Sequence, residues 1–195
     1  MSNIVPIIFE KDRYGERSSD VFSHLLNKER IVFLSGPIDT ISIENAVSQI
    51  MFLDLHDDRE IKLCINSAGG SVQDGLFLCD TIKSANSQVS TICCGQCSSM
   101  ASVILSCGTN GMRYILPYSH TMIHKVSSGF YGKEPDIMIS AEFTENLNNT
   151  LINILAENCG RSFEELNQKM DRDCFMNAQE SVELGIVDNI LYERI

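Results

Sequence analysis

Positive charge is scarce in this sequence. Lys and Arg number 15 against 26 Asp and Glu in 195 residues, so the formal net charge is −11 and the pI is about 4.7. Proteins that bind nucleic acid need a basic surface that neutralises phosphate groups. The composition therefore argues against nucleic acid as a partner.

Long apolar segments are also lacking. No window approaches the roughly 18 uninterrupted apolar residues of a membrane-spanning helix. The segment from Met1 to Pro6 has neither the charged nor the apolar region of a secretory signal. We therefore expect no membrane partner and a cytoplasmic location. Because repeats, low-complexity segments and linkers are absent too, we predict one domain over residues 1–195.

The eight cysteines form no recognisable disulfide or metal pattern. Most lie inside apolar strands and helices, where free cysteines behave as small buried hydrophobes. The Cys94-x-x-Cys97 pair has no second ligand pair at zinc-like spacing, and His120 and His124 belong to a later strand. We expect neither a metal nor another cofactor in the chain. The cysteines are Cys64, Cys79, Cys93, Cys94, Cys97, Cys107, Cys159 and Cys174.

Strand and helix patterns alternate in the first half of the chain. Short apolar runs rich in β-branched residues predict strands, and apolar residues at helical spacing predict helices. Such alternation indicates an α/β fold with right-handed crossovers and a mainly parallel sheet. The predicted strands are 30–34, 61–65 and 89–94, and helices follow at 42–55, after Gly70 and from Ser99.

A long helix dominates the second half. Apolar residues at helical spacing occur from about residue 135 to 158, which corresponds to roughly 36 Å of helix at 1.5 Å per residue. Such a helix could either pack across the sheet or form a subunit interface. Strands are predicted at 113–116 and 121–124, and a final strand at 186–191. Short helices are predicted after the capping-box patterns Ser162-x-x-Glu165 and Asn177-x-x-Glu180, the second ending near Gly185.

Ser99 stands where a nucleophile is expected. It follows a predicted buried strand and opens the helix-compatible run that begins at Met100. A helix start presents unpaired N–H groups, which stabilise negative charge that develops beside the serine.

A serine nucleophile needs a base and a group that orients the base. His124 closes an apolar strand, which places it at a sheet edge where α/β sites form, although a structural histidine is common there. Asp171 and Asp173 both precede a short apolar run, and either carboxylate could accept from the imidazole; a cap or solvated charge is the alternative. Lys125 is a second candidate base, but it should point to the opposite strand face from His124.

The turn after the second strand offers donors for an oxyanion. Gly69 and Gly70 let backbone N–H groups face a ligand without a Cβ in the way. Together with the N–H of Met100 they would form a two-donor oxyanion hole. The alternative is a tight connection, which most Gly-Gly turns are.

A series of short motifs occurs in a fixed order along nearly the whole chain. They are Val5-Pro6, Tyr14-Gly15-Glu16-Arg17, Glu29-Arg30-Ile31-Val32-Phe33-Leu34, Ile65-Asn66-Ser67-x-Gly69-Gly70, Gly95-Gln96-x-x-Ser99-Met100, Met122-Ile123-His124 and Arg172-Asp173-x-Phe175. In this order the motifs resemble the ClpP family, the proteolytic subunits of the ATP-dependent Clp protease.

The resemblance implies a crotonase-like α/β fold and a serine endopeptidase. It implies a catalytic triad of Ser99, His124 and Asp173, with Gly70 and Met100 as the backbone donors of the oxyanion hole. The resemblance also implies that the aspartate is Asp173, since Asp171 matches a family position usually held by glutamate.

The resemblance also implies an assembly. ClpP subunits stack as two heptameric rings, a tetradecamer, with a long handle helix, here the region of about 125–159, between the rings. Residues of about 1–18 would line the axial pore. An AAA+ unfoldase of the ClpX or ClpC/ClpA type would feed unfolded proteins into the chamber with ATP, which the unfoldase uses, for degradation to short peptides.

Several positions depart from the family pattern. Ala68 replaces the usual proline before the glycines, and Cys97-Ser98 stand where two alanines are common. Lys125-Val126 follow His124 where Gln-Pro is typical. Without the proline the backbone loses a fixed φ, so we expect this segment to be more mobile. We also expect the activity to depend more strongly on ring assembly.

The positions that usually grip the unfoldase differ as well. Lys62, Cys64 and Ser84 stand where the family commonly has aromatic or large apolar residues. We expect weak unfoldase binding, or a second ClpP-like subunit that carries the docking surface. The alternative is a pocket rebuilt from neighbours such as Phe77, Leu78 and Ile82.

Two other functions compete with an active peptidase. A crotonase-like acyl-CoA enzyme uses a similar pair of amides, but it does not need a serine, histidine and aspartate in this order. A ring subunit with little activity alone, dependent on a second ClpP-like subunit, is the other possibility.

Overall fold

The computed structural model describes residues 5–12 and 15–192. The strands are β1 (Ile7–Asp12), β2 (Gly15–Asp20), β3 (Ile31–Ser35), β4 (Ile61–Ser67), β5 (Val89–Ser98), β6 (Arg113–Ile115), β7 (His120–Ile123), β8 (Cys174–Asn177) and β9 (Asn189–Ile190). The helices are α1 (Val21–His24), α2 (Thr40–Asp54), α3 (Val72–Ser84), α4 (Met100–Ser106), α5 (Glu134–Cys159), α6 (Phe163–Lys169) and α7 (Ala178–Leu184), and a π-helical turn, Leu25–Glu29, follows α1. None of the helices in these ranges is long and apolar enough to cross a membrane.

Helix α2 illustrates how the sequence sets the strand-helix units. The carboxylate of Asp39 accepts a hydrogen bond from the N–H of Ser42 at 2.8 Å, and the Ser42 hydroxyl accepts one from the N–H of Asp39 at 3.0 Å. This reciprocal cap satisfies N–H groups that the helix leaves unpaired. Apolar residues at helical spacing, Ile43, Val47 and Ile50, are buried on the face that packs on β3 and α3.

The central sheet is almost entirely parallel. Its strand order is β3-β4-β5-β6-β9, with parallel pairing throughout. Strand β7 also pairs in parallel with β5, and β8 pairs with β7 in the antiparallel sense. The predicted α/β fold with a mainly parallel sheet is confirmed.

Strand β5 changes partner in its middle. Residues up to Cys93 pair with β6, and residues from Gln96 pair with β7. Gly95 lies between them with a φ of 106°, a region that favours glycine. Its N–H donates to Oγ of Ser119 at 2.7 Å. The strand end predicted at residue 94 is therefore wrong, because pairing with β7 continues the strand to Ser98.

The sequence pattern missed or misplaced several other elements. The hairpin of β1 and β2, the helical turns after it and the short strand β8 were not predicted. The strand predicted at 186–191 contains only the two residues of β9, because Ile186 and Val187 are buried in the core outside the sheet and the carboxylate of Asp188 is bound to Arg113.

The proposed axial-pore segment of about 1–18 is only partly described. Residues 1–4 and 13–14, including Tyr14 of the second motif, lie outside the described residues. The described part belongs largely to the antiparallel hairpin of β1 and β2.

Helix α5 confirms the predicted long helix. Its 26 residues correspond to about 39 Å. Leu151 and Leu155 in its C-terminal half are buried. Met138 and Ile139 are each 66% exposed and Phe143 is 52% exposed in the N-terminal half. The first half of the helix therefore presents apolar side chains that this chain does not cover.

Candidate active site

Ser99 lies at the sharp turn between β5 and α4. Its backbone has φ 56° and ψ −125°, which a non-glycine residue adopts rarely and only where surrounding contacts impose it. The N–H of Ser99 donates to the carbonyl of Met122 at 2.8 Å, and its carbonyl accepts from the N–H of Ser102 at 3.0 Å. Its side chain caps no N–H of α4. The hydroxyl is thus left for another partner.

Strand register brings Ser99 and His124 together. Ser98, the last residue of β5, pairs with Met122 of β7. Ser99 and His124 follow these neighbouring strands at the same edge of the sheet, and Nε2 of His124 lies 2.9 Å from Oγ of Ser99. At this distance a neutral imidazole can take the hydroxyl proton.

Asp173 lies opposite His124 for a similar reason. Ile123, the last residue of β7, pairs with Cys174, the first residue of the antiparallel strand β8. One further step of this register places His124 beside Asp173. Nδ1 of His124 is 3.1 Å from Oδ1 of Asp173, and the two side chains are 23% and 60% exposed. The carboxylate therefore orients the imidazole from a solvent-exposed position.

Asp171 and Lys125 form a separate pair beside this contact. Nζ of Lys125 lies 3.2 Å from Oδ1 of Asp171. The residue pattern left Asp171 and Asp173 as alternatives, and the structure joins only Asp173 to His124. Because the Lys125 ammonium group is bound to Asp171, the geometry does not support Lys125 as the base.

The glycine pair lies directly against the turn that carries Ser99. A Cβ on Gly69 would be 2.8 Å from Cβ of Ser99, and a Cβ on Gly70 would be 2.2 Å from the carbonyl oxygen of Ile38. The carbonyl of Gly69 accepts from the N–H of Ile38 at 3.0 Å. Since C=O and N–H of a trans peptide point in opposite directions, the N–H of Gly70 points away from Ile38. Side chains at either glycine would therefore displace this turn.

Core packing holds Met100, the residue after Ser99. Its side chain is 1% exposed and fills the space beside Gly75 of α3, where a Cβ would come within 2.3 Å of it. Among the turn, loop and cap hydrogen bonds of the described residues, none uses the N–H of Met100 or of Gly70 as donor. Met100 follows Ser99 directly in the chain, and Gly70 lines the same cleft as Ser99.

A cleft of about 480 Å³ opens beside Ser99, His124 and Gly70. Most of its other lining is apolar and comes from the sheet edge, the start of α3, α4, α5 and the end of α6. The apolar lining residues include Val72, Val103, Met122, Val126, Leu147, Leu151, Leu155 and Met170. Such a lining suits apolar groups of a ligand.

Two supporting residues carried no signal in the sequence pattern. The hydroxyl of Ser102 lies 2.6 Å from the carbonyl of Cys97 and 2.8 Å from that of Met122, so it links the strands on either side of Ser99. Oδ1 of Asn148 accepts from the N–H of Val126 at 2.7 Å. The contact of Ser102 with Met122 spans 20 residues and that of Asn148 with Val126 spans 22, so local patterns do not reveal them.

The three positions of the altered docking surface have different environments. Lys62 is half-buried, Cys64 is 2% exposed beside Ile31 and Ile92, and Ser84 is exposed at the end of α3. Of the residues considered for a rebuilt pocket, Phe77 is exposed, but Leu78 and Ile82 belong to the core. The latter two therefore cannot line a pocket on the outer surface.

A protein-family model described as Clp protease matches residues 13–194. This match covers both sides of the cleft and every residue of the Ser99, His124 and Asp173 contact. It agrees with the parallel sheet and with the order of motifs in the sequence. The chain belongs to the Clp protease family, and its fold is that of the ClpP peptidases.

Proposed function

We propose that this chain is a serine endopeptidase subunit in which Ser99 is the nucleophile, His124 the general base and Asp173 the group that orients it. The observation that carries the proposal is the continuous contact from Oγ of Ser99 through the imidazole to the carboxylate, at 2.9 and 3.1 Å. Family membership supports a ClpP-type peptidase, and this contact supports serine chemistry within it.

The geometry supports the following sequence of steps. Ser99 attacks a peptide carbonyl while Nε2 of His124 takes the hydroxyl proton, and the imidazolium is stabilised by Asp173. The N–H groups of Gly70 and Met100 bind the oxyanion of the tetrahedral intermediate. His124 then gives the proton to the leaving amine, and a water molecule hydrolyses the acyl-enzyme by the same route.

Labelling with a fluorophosphonate tests the nucleophile. The native chain should form a covalent adduct at Ser99, and Ser99→Ala should form none. Absence of an adduct on the assembled native protein would refute serine chemistry. Tight binding of an acyl-CoA in that case would favour the crotonase-like alternative.

We further propose that the chain works in an assembly of two stacked heptameric rings. The exposed apolar residues of α5, Met138, Ile139 and Phe143, support a role for this helix as the contact between rings. The rings would be of one kind or would include a second ClpP-like subunit. Native mass spectrometry and peptidase assays of the chain alone distinguish these cases, since a mixed-ring subunit should gain activity only with its partner.

The proposed substrates are unfolded proteins delivered by an AAA+ unfoldase of the ClpX or ClpC/ClpA type, which would consume the ATP. The half-buried Lys62 and the buried Cys64 support weak docking of such a partner, because neither offers an exposed apolar surface. Coelution of a homomeric ring with an unfoldase at an affinity typical of the family would contradict weak docking.

A further inference from the structure

The segment after His124 is held by hydrogen bonds from two consecutive backbone N–H groups. The N–H of Lys125 donates to the carbonyl of Met170 at 2.9 Å, at the end of α6. The N–H of Val126 donates to Oδ1 of Asn148 at 2.7 Å, on helix α5. The backbone that follows β7 is therefore fixed to α6 and α5 before it continues to the start of α5.

The donor at position 126 exists because the residue is not proline. A proline has no N–H, and its ring fixes φ near −65°. Val126 lacks that constraint, but its N–H is free to bind a side chain. Asn148 supplies the acceptor, 22 residues further along the chain.

The direction of the His124 ring depends on this backbone. Within the described residues, the ring makes hydrogen bonds only to Ser99 and Asp173. Asp173 is 60% exposed, so solvent competes for its contact with the imidazole. Without the hydrogen bond at Val126, only the bond from the N–H of Lys125 would remain of these two, and a shift of the segment would move Nε2 away from the hydroxyl.

We propose that Asn148 is a positioning residue for His124, in which a hydrogen bond to the N–H of Val126 replaces the constraint that proline would provide. The inference rests on the proposed function for its kinetic consequence. Asn148 and Val126 are half-buried, and Val126, Leu147 and Leu151 line the same cleft as His124. The bond therefore joins the wall of the cleft formed by α5 to the segment that carries the base.

The test compares Asn148→Ala with Asn148→Asp, which keeps an acceptor oxygen at the same position. Asn149→Ala is the matched control, since Asn149 is an exposed asparagine on the same helix. Asn148→Ala should abolish hydrogen-exchange protection of the Val126 amide and lower both kcat and the rate of fluorophosphonate labelling by about tenfold, the effect of one hydrogen bond. KM should change little, because Asn148 is not among the residues that line the cleft.

Asn148→Asp should restore both measurements, and Asn149→Ala should resemble the native chain. A double-mutant cycle with Val126→Pro should show no further loss from Asn148→Ala, because the donor is already absent. Native labelling and kcat in Asn148→Ala would overturn the inference, as would equal losses in Asn148→Ala and Asn149→Ala.

The NMR signals of the His124 ring separate failure of this inference from failure of the proposed function. They should shift or broaden in Asn148→Ala whether or not the protein hydrolyses peptides, because they report the position of the ring. Ring signals identical to those of the native chain would overturn the positioning role. If the fluorophosphonate does not label the native chain, serine chemistry is refuted. The positioning role of Asn148 is then decided by the NMR signals of the His124 ring alone.

Discussion

The side chains of Lys125 and Asp171 pair at 3.2 Å beside the contact between His124 and Asp173. Two neighbouring positions in sequence thus bind two carboxylates that are themselves only two residues apart. The segment that carries His124 and the segment that carries Asp173 are therefore joined by two side-chain contacts. Only the contact between His124 and Asp173 continues to the hydroxyl of Ser99.

This arrangement predicts different effects for two similar substitutions. Asp173→Asn should lower kcat by well over tenfold, but by less than the roughly 10⁴-fold known for a buried triad aspartate, because solvent screens this carboxylate. Asp171→Asn should lower kcat by no more than about fivefold, since an exposed ion pair contributes about 1 kcal/mol or less. Hydrolysis of a small fluorogenic peptide measures both. Equal losses would mean that Asp173 has no special role.

The glycine turn allows a test of the oxyanion hole. In Gly70→Ala the new Cβ would meet the carbonyl oxygen of Ile38 at 2.2 Å, so the turn must shift. Displacement of one donor should lower kcat by about 10²- to 10³-fold. Gly129→Ala is the control, because nothing lies within 4 Å of its Cβ position. If Gly70→Ala folds and retains native kcat, its N–H does not serve the oxyanion.

Arg113 and Asp188 predict a pH-dependent part of the stability. Burial alone would raise the pKa of the Asp188 carboxyl, but hydrogen bonds from the side chain and backbone of Arg113 outweigh it and hold the pKa below its ordinary value of 3.8. The carboxylate therefore stabilises the fold fully above that value, and the contribution is lost as the pH falls through the lower folded pKa.

Denaturant unfolding measures this contribution. At pH 7 Asp188→Asn should lose about 3 kcal/mol of unfolding free energy, because it leaves the buried Arg113 without its counter-charge. The difference from the native chain should shrink near pH 3. Glu157→Gln is the control, since its pair with Lys83 is exposed and 3.8 Å long. A difference that stays constant with pH would contradict the assignment to Asp188.

Cys94 should be more reactive than Cys97 and Cys159. A hydrogen bond from the Cys64 thiol lowers the pKa of Cys94, which is only partly buried, whereas burial raises the pKa of Cys97 and raises that of Cys159 to about 11. Because the thiolate is the reactive form, iodoacetamide at pH 8 should modify Cys94 before Cys97 or Cys159. Peptide mapping by mass spectrometry identifies the order. Faster modification of Cys97 would contradict it.

The sequence pattern was reliable where local periodicity decided the structure. Helix α5 and the capped start of α7 at Asn177 could be predicted because their signals lie within a few residues. The extension of β5 to Ser98 and the existence of β8 could not, since both depend on pairing with β7. Register is set by contacts that are distant in sequence.

The candidate site, too, could be predicted from local sequence only in part. Local pattern could mark Ser99 as a residue at a strand-to-helix turn, but it could not choose between Asp171 and Asp173. That choice followed from the family resemblance, and the pairing of Ile123 with Cys174 gives its physical reason. Asn148 was missed because a polar residue on a helix does not reveal which distant N–H it meets.

The contact between Met100 and Gly75 links the evolution of the site to that of the core. The side chain of Met100 is packed against α3, and its backbone N–H is a proposed donor of the oxyanion hole. A change of side-chain volume in this part of the core would therefore move that N–H as much as a substitution in the site itself. Gly75 and Met100 should therefore be inherited together. This part of the core should therefore tolerate fewer neutral substitutions than its apolar composition suggests.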